Sequence, residues 1–205
     1  LDALQRRTLK EGDSPEYDEG ILLAELTGEG LANIPFDLAF TSPLCRARQT
    51  AELVLAGRDV PLYVEPRLIE MAFGVYEGVT ANSGPGGTLN QNLVDFICHA
   101  ERYQAPEGGE SFEELSKRMA DYLFDLCHRK DLADKTILLA SHGGAITAML
   151  NAIDPPEGFF WRGGVPYNCS YSIIDVGEDC VPVLVAENQI CYPLEQTKSS
   201  SIRLD

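Results

Sequence analysis

One stretch of the sequence joins a short apolar run to a histidine, two glycines and a second apolar run. Residues 136–140 have the length and composition of a buried strand, and residues 145–150 are typical of a helix. His142 therefore lies at the carboxyl end of a strand, where open α/β folds bind their ligands. Gly143 and Gly144 have no Cβ, and the free N–H groups of the following helix favour an anion. The stretch predicts either an anion site or a strand–turn–helix in which the histidine only caps or packs.

Short apolar runs alternate with amphipathic runs along most of the chain. Strands are predicted at residues 36–41, 62–65, 136–140, 170–176 and 181–187, and helices at residues 19–33, 44–56, 89–102, 111–129 and from residue 145. A capping box opens the helix at Ser111, and the last two strands are expected to form a hairpin. Strands interleaved with helices predict a three-layer α/β/α sandwich with a mainly parallel central sheet. The length of 205 residues suits a single domain, residues 1–205, with a sizeable core.

Charge and cysteine usage restrict the partners and the compartment. The net charge of −16, from 32 acidic and 16 basic residues, argues against a nucleic-acid or membrane-surface partner. A small anionic substrate remains compatible, because a pocket can be locally positive in a negative protein. No apolar run is long enough to span a bilayer, and no signal-peptide pattern opens the chain. The six cysteines form no CxxC pair, so we expect reduced, mostly packed thiols in a cytoplasmic protein.

Two further stretches contain residues that suit phosphate chemistry. Arg46 is expected in the first turn of a helix, where a guanidinium group is electrostatically unfavourable by itself. The position is favourable if the guanidinium and the free N–H groups of the helix both face an anion. Glu70 lies among Leu68, Ile69, Met71 and Phe73. Apolar surroundings favour the neutral form of a carboxyl group, which is the form that a general acid needs. Each residue also has a simpler explanation when it is taken by itself. Arg46 is equally well explained as a surface arginine, and Glu70 as a loop glutamate that points into water.

Together these stretches resemble the histidine phosphatase superfamily, the clan that includes cofactor-dependent phosphoglycerate mutase. Residues 42–51 (SPLCRARQTA) are similar to its second-arginine motif, and residues 68–78 (LIEMAFGVYEG) to its acid-donor motif. Residues 108–112 (GGESF) resemble the segment before its long helix, and residues 141–144 (SHGG) its second-histidine motif. These motifs occur in the family's order, and the likeness covers roughly residues 13–176. The resemblance implies a phosphoglycerate mutase-like fold.

The resemblance also implies a role for each matching residue. Arg46 would grip the phosphoryl oxygens, and Glu70 would protonate the leaving oxygen. His142 would stabilise the transferring phosphoryl group, and the Gly143 N–H would assist. The implied activity is hydrolysis of phosphate monoesters of small metabolites through a phosphohistidine, without metal or cofactor. The sequence also contains no His/Asp/Glu cluster with metal-ligand spacing, which disfavours a metal-dependent hydrolase.

The sequence departs from the family at the nucleophile. The family carries this histidine in an Arg-His-Gly motif after its first, central strand, and no such motif occurs among the 205 residues. His99 and His128 fall in or near predicted helices and are expected to be surface or packing residues. A sheet without its central strand would leave neighbouring strand edges unpaired, which is costly. We therefore expect the strand and the motif to precede Leu1.

Several functional alternatives remain open from the sequence. A phosphoglycerate mutase-type transfer is one, although the family's mutases carry a longer insertion between the acid-donor motif and the next helix. A catalytically inactive relative that binds phosphorylated ligands is another. The loops at residues 81–88 and 159–161 are expected to shape substrate choice. The sequence also leaves open whether the protein forms a homodimer.

Overall fold

The structure is a computed structural model in which residues 15–79 and 90–194 are described. The helices are α1 (Pro15–Gly30), α2 (Cys45–Val54), α3 (Gln91–Cys98), α4 (Phe112–Cys127) and α5 (Gly143–Ile153). The strands are β1 (Leu38–Thr41), β2 (Leu62–Val64), β3 (Ile137–Ala140), β4 (Tyr171–Val176) and β5 (Pro182–Gln189). Short 3-10 turns lie at Pro66–Leu68, Gly74–Tyr76, Ala100–Arg102 and Lys130–Leu132. Each predicted strand and helix is therefore present among the described residues, with ends that differ by a few residues.

The first three strands form a parallel sheet in the order β2-β1-β3. Phe40 pairs with Tyr63 on one side and with Leu139 on the other. Because the strands are parallel and in close register, their carboxyl ends meet at one edge of the sheet. The mainly parallel α/β fold predicted from the sequence is confirmed. Strands β4 and β5 pair antiparallel as a separate sheet, as predicted for the hairpin.

Helices cover both faces of the parallel sheet, and the alternation of strand side chains explains why. Phe40 belongs to a core cluster with side chains of α4 and α5, including Met119 and Ala145. Its neighbour Ala39 is fully buried outside that cluster. Successive residues of a strand point to opposite faces, so each face needs its own apolar layer. The second layer comes from α1 and α2, which pack against each other.

Helix α4 begins with the capping box that the sequence predicts. The Ser111 side chain accepts the Glu114 N–H at 3.2 Å, and the Glu114 carboxylate accepts the Ser111 N–H at 2.8 Å. This reciprocal pair is the predicted capping box, and it satisfies two of the donors that a helix start leaves unpaired. It fixes the start of α4 beside the segment that carries Glu110.

The pairing of β1 with β3 bears on the strand expected before Leu1. Strands β1 and β3 hydrogen-bond directly, from Leu38 opposite Ile137 to Thr41 opposite Ala140. Among the described residues β3 has a strand partner on this side only, and the parallel sheet is separate from the β4–β5 pair, so the expectation of an unpaired edge stays open. The expectation that an Arg-His-Gly motif precedes Leu1 stays a prediction.

Two loops were expected to shape a ligand site. The loop at residues 81–88 lies outside the described residues. Phe160 and Trp161 are buried, and Trp161 Nε1 donates to the Phe96 carbonyl at 2.7 Å. Both rings pack in an aromatic cluster with Phe112, so they belong to the core and the expectation was wrong for them. Phe159 is exposed.

None of the six cysteines, all of which lie among the described residues, forms a disulfide. Four are partly buried, but Cys45 and Cys98 are exposed, so the expectation of mostly packed thiols holds only in part. Burial raises the pKa of the Cys169 thiol to about 11 and also raises the pKa of Cys127 and Cys191. These three cysteines are therefore neutral thiols near pH 7 and poor nucleophiles. No helix within residues 15–79 and 90–194 has the length and apolarity needed to cross a membrane.

Candidate active site

The candidate site lies where β1 and β3 end and the helices α2 and α5 begin. His142 is the N-cap residue of α5 and is 7% exposed. Its Nε2 lies 2.7 Å from the Oγ of Ser42, which follows β1 and is fully buried. Ser42 Oγ also accepts the Leu44 N–H at 3.2 Å, and the direction of its hydrogen bond with the imidazole is set by the tautomer of His142. The parallel pairing of β1 and β3 thus joins two residues that are 100 positions apart in the chain.

Glu70 lies against the first turn of α5. Its carboxylate accepts the N–H groups of Gly144 and Ala145, both at 3.1 Å, and the Met71 N–H at 2.9 Å. The first N–H groups of a helix have no intrahelical acceptor and carry the positive end of its dipole. The anion position predicted at this helix start is therefore occupied by the side chain of Glu70.

The surroundings of Glu70 differ from the sequence prediction. Of its apolar neighbours, Leu68 and Met71 are fully buried, but they turn away into the core while Glu70 meets backbone amides. Three backbone N–H groups contact its carboxylate, in place of the apolar contacts that the sequence suggested. The prediction of apolar surroundings was wrong, because the partners of Glu70 come from a helix some 74 positions along the chain.

The two glycines after His142 allow close approach, as the sequence indicated. A Cβ added to Gly144 would lie 2.7 Å from Glu70 Oε1, which is closer than real Cβ contacts allow. A Cβ on Gly143 would lie 3.3 Å from Cγ1 of Val165, a tight but softer contact. Gly144 therefore makes room for the Glu70 carboxylate, and Gly143 borders the same helix start.

Arg46 lies in the first turn of α2, four residues after Ser42. Its side chain is exposed, and its carbonyl accepts the Thr50 hydroxyl at 2.9 Å. The residue thus shares the carboxyl edge of the sheet with Glu70 and His142. The described contacts bring Glu70 to the helix that His142 caps, whereas the role of Arg46 stays a prediction.

The remaining histidines have local partners away from this site. His99 is the C-cap residue of α3, and its Nδ1 lies 3.9 Å from Glu101 Oε1. His128 is the C-cap residue of α4, stacks on Phe124 and places Nδ1 2.8 Å from the Phe124 carbonyl oxygen. Both therefore occupy helix ends.

Two serines of the site were not singled out by sequence reasoning. Ser42 contacts His142, and Ser141 Oγ donates to the Leu68 carbonyl at 2.7 Å. Each follows a strand directly, and a polar residue directly after a buried strand is the signal that indicates them. The part of the chain that the structure describes contains no group of three or more His, Cys, Asp or Glu side chains placed to hold a metal ion.

Comparison with known proteins identifies relatives of the chain in sequence and in fold. The model of the family described as the histidine phosphatase superfamily (branch 1) matches residues 2–189. The protein is similar to the adenosylcobalamin/alpha-ribazole phosphatase of Salmonella typhimurium, with 30% identity over 182 residues that cover 87% of each chain. It is also 29% identical to a 2,3-bisphosphoglycerate-dependent phosphoglycerate mutase of Gloeobacter violaceus, over 69% of this chain and 65% of that protein. Among solved structures, Bacillus stearothermophilus YhfR superposes with a TM-score of 0.74 at 26% identity, covering 91% of each chain.

Proposed function

Because the chain belongs to the histidine phosphatase superfamily, we propose that it hydrolyses phosphate monoesters of small metabolites through a phosphohistidine intermediate. The observation that carries this proposal is the meeting of Glu70 with the helix that His142 caps, at the carboxyl edge of a parallel sheet. This edge offers amide donors for a phosphoryl group, an imidazole to stabilise its charge and a carboxyl group beside them.

In this proposal the substrate takes over part of the position that Glu70 occupies. A phosphate monoester that approaches the start of α5 competes with Glu70 for the N–H groups of Gly144 and Ala145. In this proposal Glu70 carries the proton that is delivered to the leaving oxygen. The protonated Glu70 then donates to the leaving oxygen, while His142 and the Gly143 N–H face the phosphoryl oxygens. Arg46 reaches the same group from the start of α2 and offers a two-pronged contact.

The proposal assigns the nucleophile to a histidine in an Arg-His-Gly motif that precedes Leu1. Attack requires an atom in line with the leaving oxygen at near-contact distance. His142 is needed to stabilise charge, and the other two histidines occupy helix ends away from the site. The assignment is therefore supported by the family resemblance and by the local partners of His99 and His128.

Trapping the phosphorylated enzyme tests this assignment. Full-length protein is mixed with substrate, quenched without acid and analysed by peptide mass spectrometry, since phosphohistidine is acid-labile. We expect phosphate on a histidine before Leu1 and no activity from protein that begins at Leu1. Phosphate on His142, or full activity from the shorter protein, would overturn the assignment.

The molecule that accepts the phosphoryl group distinguishes a phosphatase from a mutase, the two reactions that the relatives' names suggest. A phosphatase passes the phosphoryl group to water, whereas a mutase returns it to a phosphorylated acceptor. We propose water, on the strength of the similarity to a phosphatase over 87% of each chain. Turnover should be measured over a panel of phosphorylated metabolites that includes phosphorylated α-ribazole and 3-phosphoglycerate. Transfer to phosphoglycerate that is faster than phosphate release would favour the mutase.

The protein's surroundings are part of the proposal. We propose that it works in the cytoplasm, a reducing compartment in which six cysteines without a disulfide are stable. Its net charge of −16 supports a small phosphorylated partner over a nucleic acid.

Chelation gives a further expected result. If arginine, histidine and amide groups supply the charge stabilisation, hydrolysis of 4-nitrophenyl phosphate by the full-length protein should be unchanged by EDTA. The rate is measured before and after dialysis against the chelator, with a metal-dependent phosphatase as the positive control. Loss of activity that a divalent ion restores would contradict the mechanism.

A further inference from the structure

Arg118 of α4 hydrogen-bonds to the backbone segment that leads into Glu70. Its Nη1 donates to the carbonyl oxygen of Arg67 at 2.6 Å and to that of Ile69 at 2.9 Å. The Ile69 carbonyl belongs to the peptide bond that leads into Glu70. Loop carbonyls commonly face water, but here one guanidinium group binds two of them and sets the path of the chain.

Glu110 fixes the orientation of Arg118. The guanidinium donates through Nε to Oε1 of Glu110 at 2.9 Å and through Nη2 to Oε2 at 2.7 Å, a two-pronged pair. The side chains are only 20% and 17% exposed, so water screens this pair less than it screens a surface pair. The Glu110 N–H also donates to the Ala72 carbonyl at 2.8 Å. Glu110 therefore contacts the Glu70 segment through its backbone and through Arg118.

Ser141 holds the same segment from the opposite side. Its hydroxyl donates to the carbonyl of Leu68, the residue between the two that Arg118 binds. Ser141 immediately precedes His142, so this bond joins the backbone of the proposed acid to that of the proposed charge stabiliser. Three successive carbonyls before Glu70 are thus bound by two side chains.

We propose that Arg118, oriented by Glu110, and Ser141 are positioning residues. They hold the carboxyl group of Glu70 within hydrogen-bonding distance of the leaving oxygen. The inference rests on the proposed role of Glu70 as the acid. General acid catalysis depends on the distance between the acid and the leaving oxygen, so a displacement of about 1 Å costs about 100-fold. A lysine at position 118 would keep the charge but could not bind both carbonyls and both Glu110 oxygens at once.

Leaving-group dependence distinguishes positioning from general stabilisation of the fold. An alkyl phosphate needs protonation of its leaving oxygen, whereas 2,4-dinitrophenyl phosphate leaves as a stable anion without an acid. A variant that displaces Glu70 should therefore slow the alkyl ester selectively. A variant that only lowers the folded fraction should slow both esters by the same factor.

The experiment uses the full-length protein with Arg118→Lys and, as a second variant, Ser141→Ala. For Arg118→Lys we expect kcat on the alkyl ester to fall by about 10- to 100-fold, with a much smaller change on 2,4-dinitrophenyl phosphate. Lys117→Gln is the matched control, because Lys117 is the neighbouring cation on α4 and pairs with Asp121 at the exposed surface. Its rates should stay within about twofold of the parent. In a Glu70→Gln background, Arg118→Lys should have little further effect, as expected when both changes remove one function.

The outcomes separate this inference from the proposed function. If Glu70→Gln is selective for the alkyl ester but Arg118→Lys and Ser141→Ala slow both esters equally or not at all, the inference is overturned and the role of Glu70 stands. If Glu70→Gln itself shows no selectivity, both the acid role and the inference are overturned. Thermal melting of each variant gives the folded fraction and corrects the measured rates.

Discussion

Replacement of Glu70 by glutamine is expected to slow hydrolysis of an alkyl phosphate by about 10²- to 10⁴-fold. Glutamine has nearly the same shape, and its carbonyl oxygen can still accept an N–H from the start of α5, but it carries no acidic proton. 2,4-Dinitrophenyl phosphate should be affected far less, because its leaving group does not need protonation. The measurement is kcat on both esters for the parent and the variant.

Two companion variants sharpen this test. Glu77→Gln makes the same chemical change in the same segment, where Glu77 Oε1 accepts the Phe73 N–H at 2.8 Å in a turn. It should leave the ratio of the two rates unchanged. Gly144→Ala keeps Glu70 but places a Cβ 2.7 Å from its Oε1, so it should displace the carboxyl group and reproduce the selectivity for the alkyl ester. Equal losses on both esters in Glu70→Gln would contradict the acid role.

The elements that position this site could be predicted from local sequence. Strand β3 and helix α5 follow from an apolar run, a histidine with two glycines and a second apolar run, all within 15 residues. The start of α4 follows from Ser111 and Glu114, whose capping bonds span three positions. Such signals are readable because the interacting groups are neighbours in the chain.

The partners of the site residues could not be predicted in this way. The amides that bind Glu70 lie 74 and 75 positions away, and the serine that contacts His142 lies 100 positions away. Apolar neighbours in sequence wrongly suggested an apolar environment for Glu70, since Leu68 and Met71 are buried in the core instead. Arg118 had no sequence signal, because its spacing of eight from Glu110 matches no standard helical pair and its other partners lie about 50 positions away.

The same limit applied to strand order. The sequence indicates which segments are strands, but it does not indicate their order in the sheet. Their four-residue parallel pairing brings Ser42 to His142, and no local pattern specifies that pairing. Which strands pair depends on all the strand edges that are available in the chain. A short stretch of sequence contains only one of them.

Replacement of His142 by alanine is expected to slow turnover by about 10²- to 10³-fold, the usual cost of removing one group that stabilises transition-state charge. His142 is buried at the cap of α5, so alanine removes the imidazole without displacing Glu70, whose amide donors come from Gly144 and Ala145. Unlike Glu70→Gln, this variant should slow the alkyl and the dinitrophenyl esters by similar factors, because both pass through the same phosphoryl charge.

The role of His142 is tested by combining these rates with phosphoenzyme trapping. His99→Ala is the matched control, since His99 lies half-exposed at the end of α3, and its rates should equal those of the parent. In His142→Ala, phosphorylation of the histidine proposed upstream of Leu1 should still occur, but slowly, because this variant keeps the proposed nucleophile while its electrostatic support is lost. A variant that turns over normally would exclude a role in charge stabilisation. Complete loss of phosphoenzyme, together with phosphate on His142 in the parent, would instead identify His142 as the attacking residue.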